Sequence, residues 1–156
     1  MRIHIGSDHA GLEVKQGLVA ALTDRGYEVV DHGPYEYDAL DDYPPYCLRT
    51  ALSVVGDPKS LGVVLGGSGN GEQIAANKVA GVRAALAWSD DTARLAREHN
   101  DANVVSVGAR MHPFDEVLSF VETFASTSFS GDARHVRRIS QLDVYEQTKV
   151  LPPLPQ

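Results

Sequence analysis

The stretch Leu65-Gly66-Gly67-Ser68-Gly69-Asn70-Gly71-Glu72 joins two segments of different periodicity. Ahead of it, Leu61-Gly62-Val63-Val64-Leu65 is an apolar run of the length a buried strand takes; behind it, Gln73-Ile74-Ala75-Ala76-Asn77-Lys78 opens as a helix. Glycines at 66, 67, 69 and 71 allow the backbone of such a loop to turn its N–H groups toward an anion at the helix N-terminus. Spacing excludes two common anion loops. Gly66 and Gly71 fit the outer glycines of a P-loop, but Glu72 and Gln73 stand where an NTPase needs Lys and then Ser or Thr. A dinucleotide fingerprint on Gly67-Ser68-Gly69 would need glycine at position 72. What remains is an anion-holding loop with a carboxylate beside it. Glu72 then reads in two ways: as a base taking a proton next to a carbonyl while backbone donors hold the enediolate, or as an acid complementing the dipole of the first helical turn.

Working outward, Arg2 to Gly6 reads as a strand, Ser7 to Gly11 as a loop, and Leu12 to Arg25 as a helix with apolar residues at Val14, Leu18, Ala21 and Leu22. Tyr27 to Asp31 gives a second strand. His32 to Pro45, with Gly33-Pro34, several acids and Pro44-Pro45, reads as a long polar loop, a lid or rim. The helix containing Cys47 runs to about Val55, and buried packing is the favoured role for that cysteine. After the glycine loop come a strand over Val82–Ala87, a helix over Asp90–Glu98 capped by Ser89 or Asp90, a link through His99-Asn100-Asp101, and a strand over Asn103–Gly108. A helix over Phe114–Ala125 follows. The alternation predicts about five parallel strands covered by helices on both sides, with a site at the carboxyl ends of the strands near a topological switch point. The loops bearing Asp8, Gly66 to Glu72 and Arg110 all leave strands at that edge.

A further helix over Ala133–Leu142 carries Arg134, Arg137 and Arg138, a basic cluster in a chain of net charge -7. Arg134 and Arg138 lie four apart and share a face, able to reach one anion or simply to be solvated. The tail Leu151-Pro152-Pro153-Leu154-Pro155-Gln156 cannot continue a helix.

The 156 residues suit one domain, and the acidic balance argues against nucleic acid or an anionic membrane as partner. The single cysteine excludes an internal disulfide, and the six histidines show no H-E-x-x-H or comparable ligand spacing, so neither metal nor cofactor is expected. The opening residues lack the charged-then-apolar order of a signal peptide and no run reaches a membrane span, which leads to the expectation of a cytoplasmic protein.

Taken together, Gly6-Ser7-Asp8-His9-Ala10-Gly11, Asp42-Tyr43-Pro44, the glycine loop with Ile74-Ala75-Ala76-Asn77-Lys78, His99-Asn100 and Gly108-Ala109-Arg110 resemble the type B ribose-5-phosphate isomerases, a family shared with galactose-6-phosphate isomerase subunits. The resemblance covers nearly the whole chain and is strongest to actinobacterial members. It implies a three-layer α/β/α Rossmann-like sandwich, and a homodimer whose two active sites combine residues from both subunits. The segment 131–156 would be a C-terminal helix and proline-rich tail packing on the partner. It implies that Asp8 and His9 contact the sugar or its phosphate. The backbone of Gly67, Ser68, Gly69, Asn70 and Gly71 would hold the enediolate oxygen with help from Ser68. His99 would open the furanose ring with Asp8 as counterpart, Asn100 would bind substrate, and Arg110, Arg134 and Arg138 would bind the phosphate. Many members place a cysteine base at the position of Gly66; in the subgroup without it a glutamate at the position of Glu72 takes that role. The expected activity is therefore cofactor-free interconversion of ribose 5-phosphate and ribulose 5-phosphate through a cis-enediolate. Its alternatives are the same chemistry on a tetrose or hexose phosphate, or a non-enzymatic phosphate or nucleotide binder on the same fold.

Overall fold

Five parallel strands, β1 (Arg2–Ser7), β2 (Glu28–Asp31), β3 (Leu61–Gly66), β4 (Ala84–Ala87) and β5 (Val104–Gly108), form one sheet in the order β2-β1-β3-β5-β4 in the computed structural model, which describes residues 1–154. The register sets Ser7 beside Leu65 and Gly66 beside Gly108, so the loops that follow β1, β3 and β5 leave at one level. Helices α1 (Leu12–Asp24), α2 (Tyr43–Gly56), α3 (Asn70–Ala76), α4 (Asp90–Asn100) and α5 (Phe114–Ser126) connect or follow the strands, and α6 (Ala133–Thr148) closes the described chain.

Side chains alternate across the pleat, and both faces are buried. Ile3, Ile5, Val63, Leu65, Val105 and Val107 pack against Leu18 and Leu22 of α1, Ala93 and Ala96 of α4, and Val117, Phe120, Val121 and Phe124 of α5. On the other face Val64 and Val104 meet Cys47, Ala51 and Val54 of α2 and Ala75 and Ala76 of α3. Burial on both sides explains why β3 and β5 are almost continuous apolar runs, and the result is the expected α/β/α sandwich. Cys47 is fully buried in the second core, as its packing role requires.

Several boundaries differ from the sequence reading, each for a local reason. Tyr43-Pro44-Pro45 belongs to the first turn of α2 and not to the preceding loop, because proline fits helix positions whose N–H has no partner anyway. Asn70, Gly71 and Glu72 form the first turn of α3, which therefore starts three residues before Gln73. Val82 and Arg83 precede β4. His99 and Asn100 are the last residues of α4 and not a link; the helix runs on to Asp101, whose left-handed conformation (φ 43°) ends it. Its start is set by Ser89, which accepts from Thr92 N–H in a reciprocal capping box. Helix α6 extends to Thr148 and packs by its N-terminal part on α4 and by Glu146, which accepts from Gly81 N–H at 2.8 Å, on the turn before β4. Val136, Leu142, Val144 and Tyr145 remain exposed on it, and only His135 is buried. Pro155 and Gln156 of the expected tail lie outside the described residues.

Candidate active site

β1 connects to β2 on one side and the chain then returns to lay β3 on the other, so the sheet order reverses between β1 and β3. At this switch point Asp8 follows β1 and the glycine loop follows β3, with Arg110 arriving from β5. Ala109 and Arg110 N–H donate to the carbonyls of Gly66 (2.8 Å) and Gly67 (3.2 Å), which ties the two loops together. Gly69 is left-handed (φ 83°) and lies so close to β4 and β5 that a Cβ would come 2.6 Å from Leu86 Cδ1 and 3.0 Å from Gly108 N. Ser106 Oγ, buried in β5, donates to Gly69 O at 2.7 Å. The loop is thus held from beneath while Ser68 and Asn70 face outward, with Asn70 N and Nδ2 each 3.3 Å from Ser68 Oγ.

Glu72 points back from α3 under this loop and is only 4% exposed. A side chain at Gly66 would run into its carboxylate, so the acid fills the space that glycine leaves. Oε2 is buried and has no hydrogen-bond partner among the described residues. Burial is the largest influence and pushes the Glu72 pKa above the ordinary carboxylate value; the negative charge of Asp8 adds to this, while hydrogen bonds from its own N–H and that of Gly69 act the other way. Desolvation therefore outweighs the backbone N–H groups that favour the charged form.

The raised pKa has a sign that can be tested. A folded state holding this proton more tightly than the unfolded chain loses stability as the pH climbs from the ordinary 4.5 through the raised value. Glu72→Gln removes that cost. Thermal unfolding across a pH series should show the variant at least as stable as the parent at pH 7, with its relative advantage shrinking on acidification; a parent more stable at pH 7 would contradict the burial argument.

Asp8 is buried at the end of β1 and accepts from Ala10 N–H at 2.9 Å. Beside it, His9 donates twice to Asp41 Oδ1, through N–H (3.0 Å) and Nδ1 (2.6 Å), and meets the Tyr37 ring edge-on at 5.8 Å. The loop after β2 therefore does form a rim, anchored on His9. Asp8, His9 and Asp41 offer ligand atoms within 4.8 Å of one another, the one such group among the described residues. The short His9–Asp41 hydrogen bond orients the imidazole within this group. Tyr43 at the start of α2 packs over Gly71, where a Cβ would lie 2.7 Å from its ring.

The other expected site residues lie elsewhere. Helix α4 leaves the carboxyl end of β4 and descends the sheet, about 16 Å over its 11 residues, so His99 and Asn100 reach the amino edge. There Asn100 O accepts from Arg83 Nε (3.0 Å), and Arg83 directly precedes β4. The His135 ring stands 4.3 Å from that of His99, and Ser130 Oγ lies 2.9 Å from His135 Nδ1. Burial first, then the neighbouring His99 and Arg134, lowers the His135 pKa. Arg134 and Arg138 are exposed on the first turns of α6, close to this pair. The chain therefore carries two groups: Asp8, His9, Ser68, Glu72 and Arg110 at the carboxyl edge, and His99, Asn100, Arg134 and Arg138 at the amino edge.

Volume does not locate the site. A cavity of about 570 Å³ opens at the amino edge between Met1, Leu61, Arg83, Asn103 and Phe129. Its guanidinium groups are already occupied: Arg83 binds Asp101 and the Asn100 carbonyl, and Arg97 binds Asp101 and the Ala102 carbonyl. Sequence reasoning missed Asp41, one acid among several in a polar loop with no spacing signal. It also gave no role to Tyr43, although the motif containing it was noticed, or to His135, whose contact with His99 depends on tertiary packing.

The profile of the Ribose/Galactose Isomerase family matches residues 3–142. Ribose-5-phosphate isomerase B of Mycolicibacterium paratuberculosis is 55% identical over 155 residues, covering 99% of this chain and 98% of that protein, and the Escherichia coli protein of the same name is 36% identical over 148 residues, covering 95% and 98%. The crystal structure of ribose-5-phosphate isomerase B from Mycoplasma genitalium with bound ribulose-5-phosphate superposes with a TM-score of 0.90 at 40% identity, covering 94% of this chain and 97% of that one. The type B enzyme of Trypanosoma cruzi also gives a TM-score of 0.90, at 39% identity, covering 95% and 99%. A chain matched along nearly its whole length by sequence and by fold belongs to the ribose/galactose isomerase family, among its type B ribose-5-phosphate isomerases.

Proposed function

We propose that this chain interconverts ribose 5-phosphate and ribulose 5-phosphate, with Glu72 moving the proton between C2 and C1 in sites shared by two copies of the chain. The observation that carries the reading is the Glu72 carboxylate. It is buried beside the glycine loop, has no partner for Oε2 among the described residues, and occupies the space left by Gly66. An acid placed there weakens simple anion binding and is useful for proton transfer, which favours an isomerase over a phosphate or nucleotide binder.

The reaction begins with a ring-closed sugar, and His99 is the group to open it, because an imidazole carries one nitrogen that can give a proton and one that can take it. Glu72 then removes the C2 proton. The N–H groups of Gly67 to Gly71, with Ser68, face the oxygen on which the enediolate charge develops, and Glu72 returns the proton at C1. Arg110 and His9, with Arg134 and Arg138, hold the phosphate, leaving Asn100 to bind the sugar. Asp8 contacts the sugar and raises the affinity of Glu72 for its proton. None of these steps calls on a metal or cofactor.

Two copies are needed because His99, Asn100, Arg134 and Arg138 sit at the amino edge of the protomer that holds Glu72 at its carboxyl edge. In a twofold homodimer the α4–α6 corner of one copy can face the glycine loop of the other, and the exposed apolar residues of α6 with the proline-rich tail supply a surface for the partner. No helix among the described residues is long and apolar enough to cross a membrane. The cytoplasm is the compartment we assign.

The substrate assignment is tested by a panel of ribose 5-phosphate, a tetrose phosphate, galactose 6-phosphate and allose 6-phosphate, with and without chelator, in deuterated water. The distance from Glu72 to the phosphate arginines must match the sugar's length, so an added carbon displaces the reacting atoms and loses orientation. Ribose 5-phosphate should show the highest kcat/KM and take up solvent label. Preference for a four- or six-carbon sugar would overturn the substrate, and no turnover of any of them would favour a binding protein.

A further inference from the structure

Lys15 is a fully buried lysine in a helix stripe otherwise made of leucine, since Leu18 and Leu22 stand three and seven positions further on. Its Nζ donates to both carboxylate oxygens of Asp31 at 2.6 Å and to Pro34 O at 2.7 Å, and it stands 5.4 Å from the centre of the Tyr35 ring. An ammonium has three protons, and here each has an acceptor. Replacing a buried ion pair by apolar residues is often neutral or stabilising, so stability alone does not explain a charge at a position that leucine would fill. What the pair does fix is a path of chain. Asp31 Oδ1 also accepts from Gly33 N–H (2.8 Å), Tyr35 Oη donates to Asp31 O (2.8 Å), and Gly33 O accepts from Ser7 N–H (3.1 Å), one residue before Asp8. Beyond this turn Tyr35 to Leu40 are exposed, until the chain comes back at Asp41 onto His9.

We propose that Lys15 and Asp31 form a buried clamp that positions His9 for the substrate, by fixing where the 33–42 loop starts and hence where Asp41 meets the imidazole. Lys15 is a positioning residue: it touches no reacting atom and acts through the loop. The proposal rests on the reading of His9 as a substrate-binding group. Loosening the clamp lets Asp41 and His9 wander, which costs binding of the sugar phosphate and leaves proton transfer by Glu72 in place.

The test is a double-mutant cycle in the full chain with ribose 5-phosphate, built from Lys15→Met, His9→Ala and the two combined. Lys15→Met/Asp31→Asn, which leaves no lone charge buried, serves as the clamp variant if Lys15→Met does not fold. His9→Ala should raise KM by about ten- to a hundredfold, the size of one lost charge-assisted hydrogen bond. The clamp variant should raise KM by a comparable factor with kcat within about threefold, hydrogen exchange in residues 33–42 should quicken, and adding His9→Ala should cost less than about twofold more. A clamp variant that lowers kcat at unchanged KM, or in which His9→Ala has its full parental effect, overturns the clamp and leaves His9 in place. An unchanged KM in His9→Ala alone overturns the reading of His9 and the proposal with it.

Discussion

Glu72→Gln lowers kcat by about 10²–10⁴-fold while the sugar phosphate still binds, the range for loss of a positioned general base. The amide keeps the size of the acid and a carbonyl oxygen to accept with, so the loop should keep its shape. What it cannot do is take the C2 proton. The KM should stay within a few-fold, since Glu72 contributes no attraction for an anionic substrate. In the parent, the acid limb of kcat/KM should lie above the ordinary carboxylate value of 4.5, because burial raises the pKa and only the ionised form is a base. Steady-state kinetics with direct titration of ribose 5-phosphate checks both halves. Turnover within about threefold of the parent would remove Glu72 from the role.

Gly66→Ala is the second large effect, a loss of about 10²-fold or more in kcat from a single added methyl group. A Cβ at this position falls on the Glu72 carboxylate. The backbone has little room to yield, since Gly66 pairs with Gly108 at the end of β3 and its carbonyl accepts from Ala109. The carboxylate must therefore move, and a displacement of about 1 Å at a reacting group can cost a factor of that order. In the Glu72→Gln background the same substitution should cost little further activity, because the base it displaces is already gone. A folded Gly66→Ala protein with near-parental kcat would show that the acid has another place to work from. The clash also gives a physical reason for the departure from a cysteine at this position: a side chain at 66 and a carboxylate at 72 compete for one space.

The sheet was legible in the sequence because its signals are local. Apolar runs at Leu61–Leu65 and Asn103–Gly108, glycines at strand ends and an alternation of strand and helix specify parallel pairing with few alternatives. The carboxyl-edge half of the site was legible for the same reason: Asp8, the glycine loop and Arg110 each follow a strand directly. His99 and Asn100 read as a link because Asn-Asp suggests a turn, whereas α4 runs two residues further, to Asn100, before the left-handed Asp101 ends it. In either reading they lie where α4 leads into β5 at the amino edge, away from the loops that leave the carboxyl ends of the strands. Lys15, Asp41 and His135 left no readable trace. Each is defined by a contact between segments distant in the sequence: Lys15 with Pro34, Asp41 with His9, His135 with His99.

Mixing two inactive variants tests the central claim most directly, namely that Glu72 of one copy works with His99 of another. Glu72→Gln and His99→Ala protomers are each expected to be nearly inactive alone. After subunit exchange, demonstrated by differently tagged chains in one dimer, a mixed dimer holds one site with both residues intact and one with neither. Random pairing then restores about a quarter of the parental activity per total site, by the statistics of a twofold dimer. Recovery to that level is the predicted result. Mixed dimers that form and stay inactive would contradict it, placing Glu72 and His99 in the service of one chain.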